Sequence, residues 1–383
     1  MEARLPWGVF LSSANRAPGR GPGANQDRLP AQGAAAKGGK DLQGDYLQQI
    51  EERPLTGVGL RRLEAFLQRQ GLRYDSGVEY TVLYYDSQGN IAATGSLQKN
   101  VLKCIAVAEE CRGEGLTASV VSTLRAAAFS RGQQHLFLFT KPQNQAMFQD
   151  FGFYPVSSTQ DMLLMENKKG GIDAFVASLE KGRGEQAAIV ANCNPFTLGH
   201  RYLVETAAAR CDTLHLFVLS EDASLFPSRV RMELVRRGVA DLANVIVHPT
   251  SDYLISAATF PTYFLKSDQI ERGAGGALDL AVFGQHFAPA LGITRRFVGQ
   301  EPFSPITALY NRQMQEILPR YGVEVVEIPR RQIGGQAVSA SRVRALLAQG
   351  QMEKVKALVP LTTWDFLQTE EGQAIARRAG ERP

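Results

Sequence analysis

Ala187-Ala188-Ile189-Val190-Ala191-Asn192-Cys193-Asn194-Pro195-Phe196-Thr197-Leu198-Gly199-His200, running on into Arg201-Tyr202-Leu203-Val204-Glu205-Thr206-Ala207-Ala208-Ala209-Arg210, changes character twice. Its first five residues are an unbroken apolar run, as a strand buried on both faces requires. Its last ten are good helix formers. Between them lies a short turn with Thr197, Gly199 and His200, and His200 falls in the first turn of the helix. A strand, a tight turn and a helix start make half of a nucleotide-binding α/β unit. The free N–H groups and partial positive charge of a helix start suit a phosphate. Gly199 removes a Cβ where a nucleotide must approach the backbone. A histidine there can donate a hydrogen bond to a phosphoryl oxygen as charge develops. From these residues alone, an ordinary strand–turn–helix with a capping histidine is the competing account.

The Thr197-Leu198-Gly199-His200 turn resembles the His-x-Gly-His signature of the nucleotidyltransferase superfamily, with Thr197 for the first histidine as in its phosphopantetheine adenylyltransferase branch. A second segment strengthens the likeness. Gly334-Gly335-Gln336-Ala337-Val338-Ser339-Ala340-Ser341-Arg342-Val343-Arg344 is similar to the superfamily's Ile-Ser-Ser-Thr-x-x-Arg signature. Ser339 and Ser341 at a helix start offer hydroxyls to phosphates, or simply cap the helix. Arg344, one turn further in, presents a planar fork that neutralises a polyphosphate. Helix geometry turns Arg342 elsewhere.

Between the two signatures the chain alternates strand and helix. Thr213–Leu219, Asn244–His248, Arg295–Gly299 and Val323–Pro329 read as strands, with His215 a structural histidine inside the first of these. Ser228 reads as the cap of a helix carrying Arg229 and Arg231, and Pro305–Leu318 as a further helix. The expected fold class is α/β: a Rossmann-like, doubly wound parallel sheet of about five strands. Ligands of such sheets sit at the strands' carboxyl ends, where Gly299 leaves room for adenine and Glu301 can serve a ribose or a cap.

The first half has another rhythm. Leu60–Gln70 reads as a helix with Leu60, Leu63, Phe66 and Leu67 on one face. Glu79–Tyr85 and Ile91–Gly95 flank the turn Asp86-Ser87-Gln88-Gly89-Asn90, and Val101–Val107 is a further strand. Arg112-Gly113-Glu114-Gly115-Leu116-Thr117 opens a helix from Ala118 to Ser130, and Leu136–Thr140 and Ala146–Phe153 follow. This order resembles a GNAT-type acetyltransferase domain, an α+β fold. The resemblance implies that Arg112, Gly113 and Gly115 belong to a loop whose N–H groups hold the pyrophosphate of a CoA-like group. Thr117 departs from the usual Gly or Ala and would crowd that pyrophosphate. The expected division is a disordered leader at 1–45, a GNAT-like unit at 46–168 and a nucleotidyltransferase unit at 169–383, with Asn167-Lys168-Lys169-Gly170-Gly171 as the linker.

Bulk properties bound the partners. A formal net charge of +4 suits small anions and is too weak to argue for nucleic acid. No run of ~18 or more apolar residues suggests a membrane span. The N-terminus has no signal-peptide pattern, and Cys104, Cys111, Cys193 and Cys211 show no Cys-x-x-Cys spacing, so a cytoplasmic protein with reduced thiols is expected.

From Leu60 to Leu361, across both units, the chain resembles the citrate lyase ligase family. The specific stretches are Asn192–His200, Phe226-Pro227-Ser228-Arg229, Ala258–Lys266, Val298–Pro305 and Gly335–Ser341. The resemblance implies that ATP, acetate and the thiol of the acyl-carrier subunit of citrate lyase give AMP, pyrophosphate and the acetyl thioester. The prosthetic group of that subunit, a phosphoribosyl-dephospho-CoA, carries the thiol. The implied route runs through acetyl-adenylate. The catalytic residues are then His200, Thr197 and Arg344. Asn194, Pro195, Phe196 and Gly199 form the ATP-binding turn, and Ser339, Ser341, Gly299 and Glu301 complete the ATP site. Arg229, Arg231 and Lys266 are candidates for a substrate anion. Mg²⁺ is expected with the triphosphate, held mostly by ATP and water, and no residue is assigned as a metal ligand. Two alternatives stay open: an adenylyltransferase of a phosphorylated small molecule such as phosphopantetheine, and a non-catalytic sensor of CoA or nucleotide.

Overall fold

A computed structural model describes residues 46–75, 77–221, 224–254, 264–266, 269–270, 273–301 and 305–381. The expected leader at 1–45, residues 258–263 of one family-like stretch and residues 302–304 of another lie outside the described residues.

The first sheet has seven strands: β1 (Leu47–Glu51), β2 (Tyr80–Tyr85), β3 (Ile91–Gln98), β4 (Val101–Val107), β5 (Phe137–Thr140), β6 (Tyr154–Ser158) and β7 (Leu163–Glu166). Their order is β1-β2-β3-β4-β5-β7-β6. Neighbours are antiparallel except β4 and β5, which pair in parallel only at Val101 and Leu102. Helices α1 (Gly57–Arg69), α2 (Leu116–Ser130) and α3 (Gln145–Asp150) accompany it. Gly95 in β3 lets α2 lie close, because a Cβ there would stand 2.4 Å from Val120 Cγ1 and 2.9 Å from Leu124 Cδ1. Three strands went unread in the sequence, each for a physical reason. β1 is polar and mostly exposed at the sheet edge, β6 contains Pro155, and β7 is a short Leu/Met run without alternation.

The second sheet contains β8 (Gln186–Ala191), β9 (Thr213–Val218), β10 (Val245–Pro249), β11 (Ile293–Gly299) and β12 (Glu324–Ile328). All neighbours are parallel, in the order β10-β9-β8-β11-β12. This is the expected doubly wound sheet, and its order reverses between β8 and β11, the switch point where such sheets bind ligands. The helices are α4 (Gly171–Ala177), α5 (Leu198–Ala208), α6 (Ser228–Gly238), α7 (Ala274–Val282), α8 (Ala288–Leu291) and α9 (Pro305–Ile317). A small hairpin, β13 (Gln332–Ile333) and β14 (Gln336–Ala337), then leads into α10 (Ala340–Ala348), α11 (Met352–Lys356), α12 (Leu361–Leu367) and α13 (Glu370–Glu381). Ser228 is the first helical residue of α6 and not its cap; extended Pro227 takes the cap position. α7, the π-helical turn at Phe283–Phe287 and α8 were not foreseen. α7 is buried on nearly every side, so it has no polar face to give it a period.

The turn at 167–171, expected as a linker, is closed and pinned. Asn167 accepts from Leu136 N at 2.8 Å and donates to Gln134 O at 3.1 Å. Glu166 beside it is buried and accepts three hydrogen bonds, from His135 Nε2 (2.6 Å), Tyr253 OH (2.7 Å) and Ile172 N (3.0 Å). These bonds hold its carboxyl below the usual range against the opposing effect of burial. Aromatic rings continue the connection. Phe137 on β5 meets Tyr253, Tyr253 meets Phe175, Phe175 meets Phe287, and Phe287 meets Phe217 on β9. One hydrophobic core therefore runs from the first sheet onto a face of the second.

His215 is structural, as expected. Its Nε2 lies 2.8 Å from Gln186 Oε1, and its Nδ1 lies 2.8 Å from His248 Nε2. With Gln186 accepting, His215 carries its proton on Nε2 and accepts at Nδ1 from His248 Nε2–H. Burial pushes His215 down to about 4. His248 also falls to about 4, through burial first and then the His215 and Arg236 charges. The unfolded chain therefore takes up these protons first, so stability is full above pH 6.5 and is lost as pH falls toward 4. A depressed imidazole of this kind contributes about 3 kcal/mol to that loss. Thermal midpoints should accordingly drop between pH 7 and 4.5, and His248→Gln should flatten the drop. An equal slope in the variant would place the effect elsewhere.

Candidate active site

Thr197 ends the turn after β8 in an extended conformation and caps α5: its Oγ1 accepts from His200 N at 3.3 Å. His200 returns the favour, since Thr197 N donates to its Nδ1 at 3.1 Å. A histidine thus stands where a capping box usually has Glu or Gln. With Nδ1 accepting from a backbone N–H, the neutral ring carries its proton on Nε2. The ring of Phe196 stacks on the imidazole at 5.9 Å and 13°. Burial, then the Arg330 and Arg344 charges, push His200 down to about 4, so at neutral pH it is an uncharged donor.

The two signature segments touch. Arg344 Nη1 donates to Asn194 O at 2.6 Å. An added Cβ at Gly199 would lie 2.7 Å from Val338 O, so only glycine allows this approach without a shift. Ser339 caps α10 by accepting from Arg342 N at 3.2 Å, and its hydroxyl lies 3.0 Å from that of Ser341. The C-terminal helices close the back. Leu198 N donates to Leu358 O at 2.9 Å, and Thr363 Oγ1 to Phe196 O at 3.0 Å.

A cavity of about 430 Å³ lies at the carboxyl edge of β8, β11 and β12. Its walls include the expected Asn194, Thr197, Gly199, His200, Gly299, Glu301, Ser339, Ser341 and Arg344. Arg330, Arg331, Tyr202 and Thr307 also line it and were not anticipated. Arg330 is pinned there, with Nε donating to Gln300 O at 2.5 Å and its guanidinium paired with Glu301. Its place was readable, since Pro329-Arg330-Arg331 leaves the fifth strand at the same sheet edge as both signatures, but nothing in the pair itself set it apart from surface arginines. Glu301 is the one carboxylate in a wall with three arginines, an arrangement suited to a polyphosphate.

Other expected site residues lie elsewhere. Pro195 and Phe196 are buried behind the turn and outside the cavity wall. Arg231 is fully buried and spent on the backbone: Nε donates to Phe226 O (3.0 Å), Nη1 to Asn192 O (2.9 Å) and Leu219 O (2.7 Å), and Nη2 to Glu221 O. It ties together the loops after β8 and β9 and has no face toward a substrate anion in this cavity. Arg229 is exposed and paired with Glu371, and Lys266 is exposed and outside the wall. Arg112, Gly113 and Gly115 stand at the start of α2 in the first sheet's unit, also outside this cavity. Gly113 (φ 89°) and Gly115 (φ 78°) both need the left-handed region, and Gly115 caps α2. Cys193 is buried and its thiol is pushed up to about 12 by that burial, which fits a packing role.

Comparison with known proteins bears on both units. Residues 186–367 match the family model described as citrate lyase ligase C-terminal domain, and residues 45–153 match the acetyltransferase (GNAT) family. A Haemophilus influenzae protein named citrate (pro-3S)-lyase ligase is 40% identical over 320 residues, covering 81% of this chain and 95% of that one. Its namesake from Klebsiella pneumoniae is 43% identical over 314 residues, covering 80% and 91%. The Escherichia coli protein of that name is 41% identical over 318 residues, covering 81% and 90%.

Proposed function

The chain belongs to the citrate lyase ligase family, and from that premise we propose that it activates citrate lyase by an ATP-dependent ligase reaction that acetylates the thiol of the enzyme's acyl-carrier subunit. The observation that carries the reading is the contact between the two signature segments, which puts His200, Ser339, Ser341 and Arg344 around one cavity.

On this reading an acetate oxygen attacks the α-phosphorus of ATP. The bond from that phosphorus to the bridging oxygen breaks, and pyrophosphate leaves with the electron pair. The carrier thiolate then attacks the acetyl carbon, and AMP departs from the mixed anhydride. Negative charge builds on the α-phosphate oxygens in the first step, where the Nε2–H of His200 donates. Because Nδ1 is occupied by Thr197 N, the ring is already oriented, and little reorganisation is needed during reaction. Arg344 donates to Asn194 O, so the turn and its charge are fixed together. Ser339, Ser341 and Arg344 would hold the β and γ phosphates, and Gly299 with Glu301 would face the nucleoside. Mg²⁺ enters as part of the ATP substrate complex. Among the described residues no cluster of three or more His, Cys, Asp or Glu forms a resident metal site.

We take residues 46–168 and 169–383 as the two working units. In the first, the α2 start framed by Gly113 and Gly115 is where a CoA-like group would sit, with Thr117 half-buried beside it. The test is purified protein with ATP, acetate and deacetylated carrier subunit. AMP and acetyl thioester should form in step and require acetate. Dephospho-CoA formed from ATP and phosphopantetheine without acetate would replace this reading with an adenylyltransferase, and tight ATP binding without turnover would replace it with a sensor.

A further inference from the structure

Arg231 stands on the buried face of α6 with Val230, Leu234 and Val235, and none of its surface is exposed. A guanidinium is costly to bury unless its N–H groups find acceptors. Here the acceptors are oxygens that the sheet leaves over. Beyond the ends of β8 and β9 the ladder stops, and the C=O groups of the loops need other donors. Arg231 reaches both loops at once. Nη1 donates to Asn192 O (2.9 Å), Asn192 Oδ1 (2.6 Å) and Leu219 O (2.7 Å), Nη2 to Glu221 O, and Nε to Phe226 O (3.0 Å).

From these contacts a line of hydrogen bonds runs to the cavity. Phe226, held at its carbonyl by Arg231, donates its own N–H to Asn194 Oδ1 at 3.0 Å. Asn194 in turn offers its carbonyl to Arg344 Nη1 at 2.6 Å. Asn192, the other residue that Arg231 grips, is braced by Ser224, its Nδ2 donating to Ser224 Oγ at 3.1 Å. Asn192, Asn194 and Arg344 all line the active-site cavity, whereas Arg231 and Phe226 stand behind it. The middle of the line is dry, since Phe226 and Asn194 are both buried. A planar fork fixes the directions of its donors, so this connection is stiff in a way that a flexible ammonium could not match.

We infer that Arg231 is a positioning residue for ATP: through Phe226 and Asn194 it sets where the Arg344 guanidinium meets the polyphosphate. The inference rests on the proposed ATP site and deepens it. Arg231 touches no substrate. It fixes the carbonyl that orients Arg344, so the fork is in place before ATP arrives.

The test is a double-mutant cycle on the full chain, read as KM for ATP in AMP formation and as the ATP dissociation constant by calorimetry. Arg231→Lys keeps the charge and loses the fork. Asn194→Ala leaves Arg231 in place and removes the Oδ1 link. Each should raise both constants about tenfold in the parent chain, and less than about twofold once Arg344→Met has removed the end of the line. A purely structural role predicts a different pattern. A smaller folded fraction lowers the rate at every ATP concentration, leaves KM where it was, and multiplies with the effect of Arg344→Met. Folded Arg231→Lys protein with an unchanged KM for ATP, or full multiplication of either change with Arg344→Met, would overturn the inference alone. If Arg231→Lys does not fold, the Asn194→Ala cycle decides by the same criterion. Wild-type protein that does not bind ATP would overturn the inference together with the proposed function.

Discussion

His200→Ala should lower the rate of AMP formation about 10²–10³-fold, the usual loss when one preorganised donor to a developing oxyanion is removed. The variant also loses the capping partner of Thr197 N, which costs about 1 kcal/mol of stability. His200→Asn separates the two effects. An Asn carbonyl at that position can still accept from Thr197 N, but its side chain no longer reaches where the imidazole Nε2–H stood. The rate should fall as far as in the alanine variant, and the melting temperature should fall less. Because His200 is held down to about 4 in the free protein, kcat/KM should have no acid limb from this residue between pH 5 and 8. Full turnover in His200→Ala would remove the residue from the chemistry.

Gly199→Ala should be nearly as damaging, through a different link in the chain of causes. The new methyl would meet Val338 O at 2.7 Å, and that oxygen belongs to the backbone entering α10, so it cannot swing aside. Replacing glycine by alanine in a helix gains up to ~1 kcal/mol, while overpacking costs ~1–3 kcal/mol, so destabilisation wins. The catalytic loss should exceed the stability loss. Forcing the two segments apart moves His200 relative to Ser339, Ser341 and Arg344, and a misplacement of ~1 Å can cost about 10²-fold. KM for ATP should rise with the fall in rate. Gly299→Ala is the control for melting temperature alone, because nothing lies within 4 Å of a Cβ added there; its methyl would enter the cavity, so its KM for ATP is no control. A melting temperature and KM unchanged in Gly199→Ala would show that the contact between the signatures can relax without consequence.

Much of this site was legible because its information is local. The switch from an apolar run to a helix at Thr197, and the Ser339–Arg344 segment after the fifth strand, each declare themselves within about ten residues. That order along the chain also predicted a parallel sheet with both loops at one edge, as found. What escaped depends on burial, which a single sequence does not carry. Arg231 and Arg229 look alike two residues apart on one helix, yet one is walled in by carbonyl oxygens and the other is in solvent. Arg330 was missed because a basic pair after a strand resembles any surface pair until Gln300 and Glu301 are seen to hold it. The capping role of His200, which the sequence offered as the competing account, is present in the structure, with imidazole as an unusual third residue of that motif. β6 and α7 failed for lack of a period, the one through its proline and the other through burial on nearly every side.

The row of rings from Phe137 through Tyr253, Phe175 and Phe287 to Phe217 bears on how this protein can be handled. Cutting the gene at codon 168 would sever that row and expose a greasy flank on each fragment. It would also strand the Glu166 carboxylate away from Tyr253, its donor on the other fragment. Truncated catalytic halves should therefore come out of cells as inclusion bodies, or cling to one another. Shortening from the far end, before β1, leaves the row whole and is the safer way to a smaller enzyme.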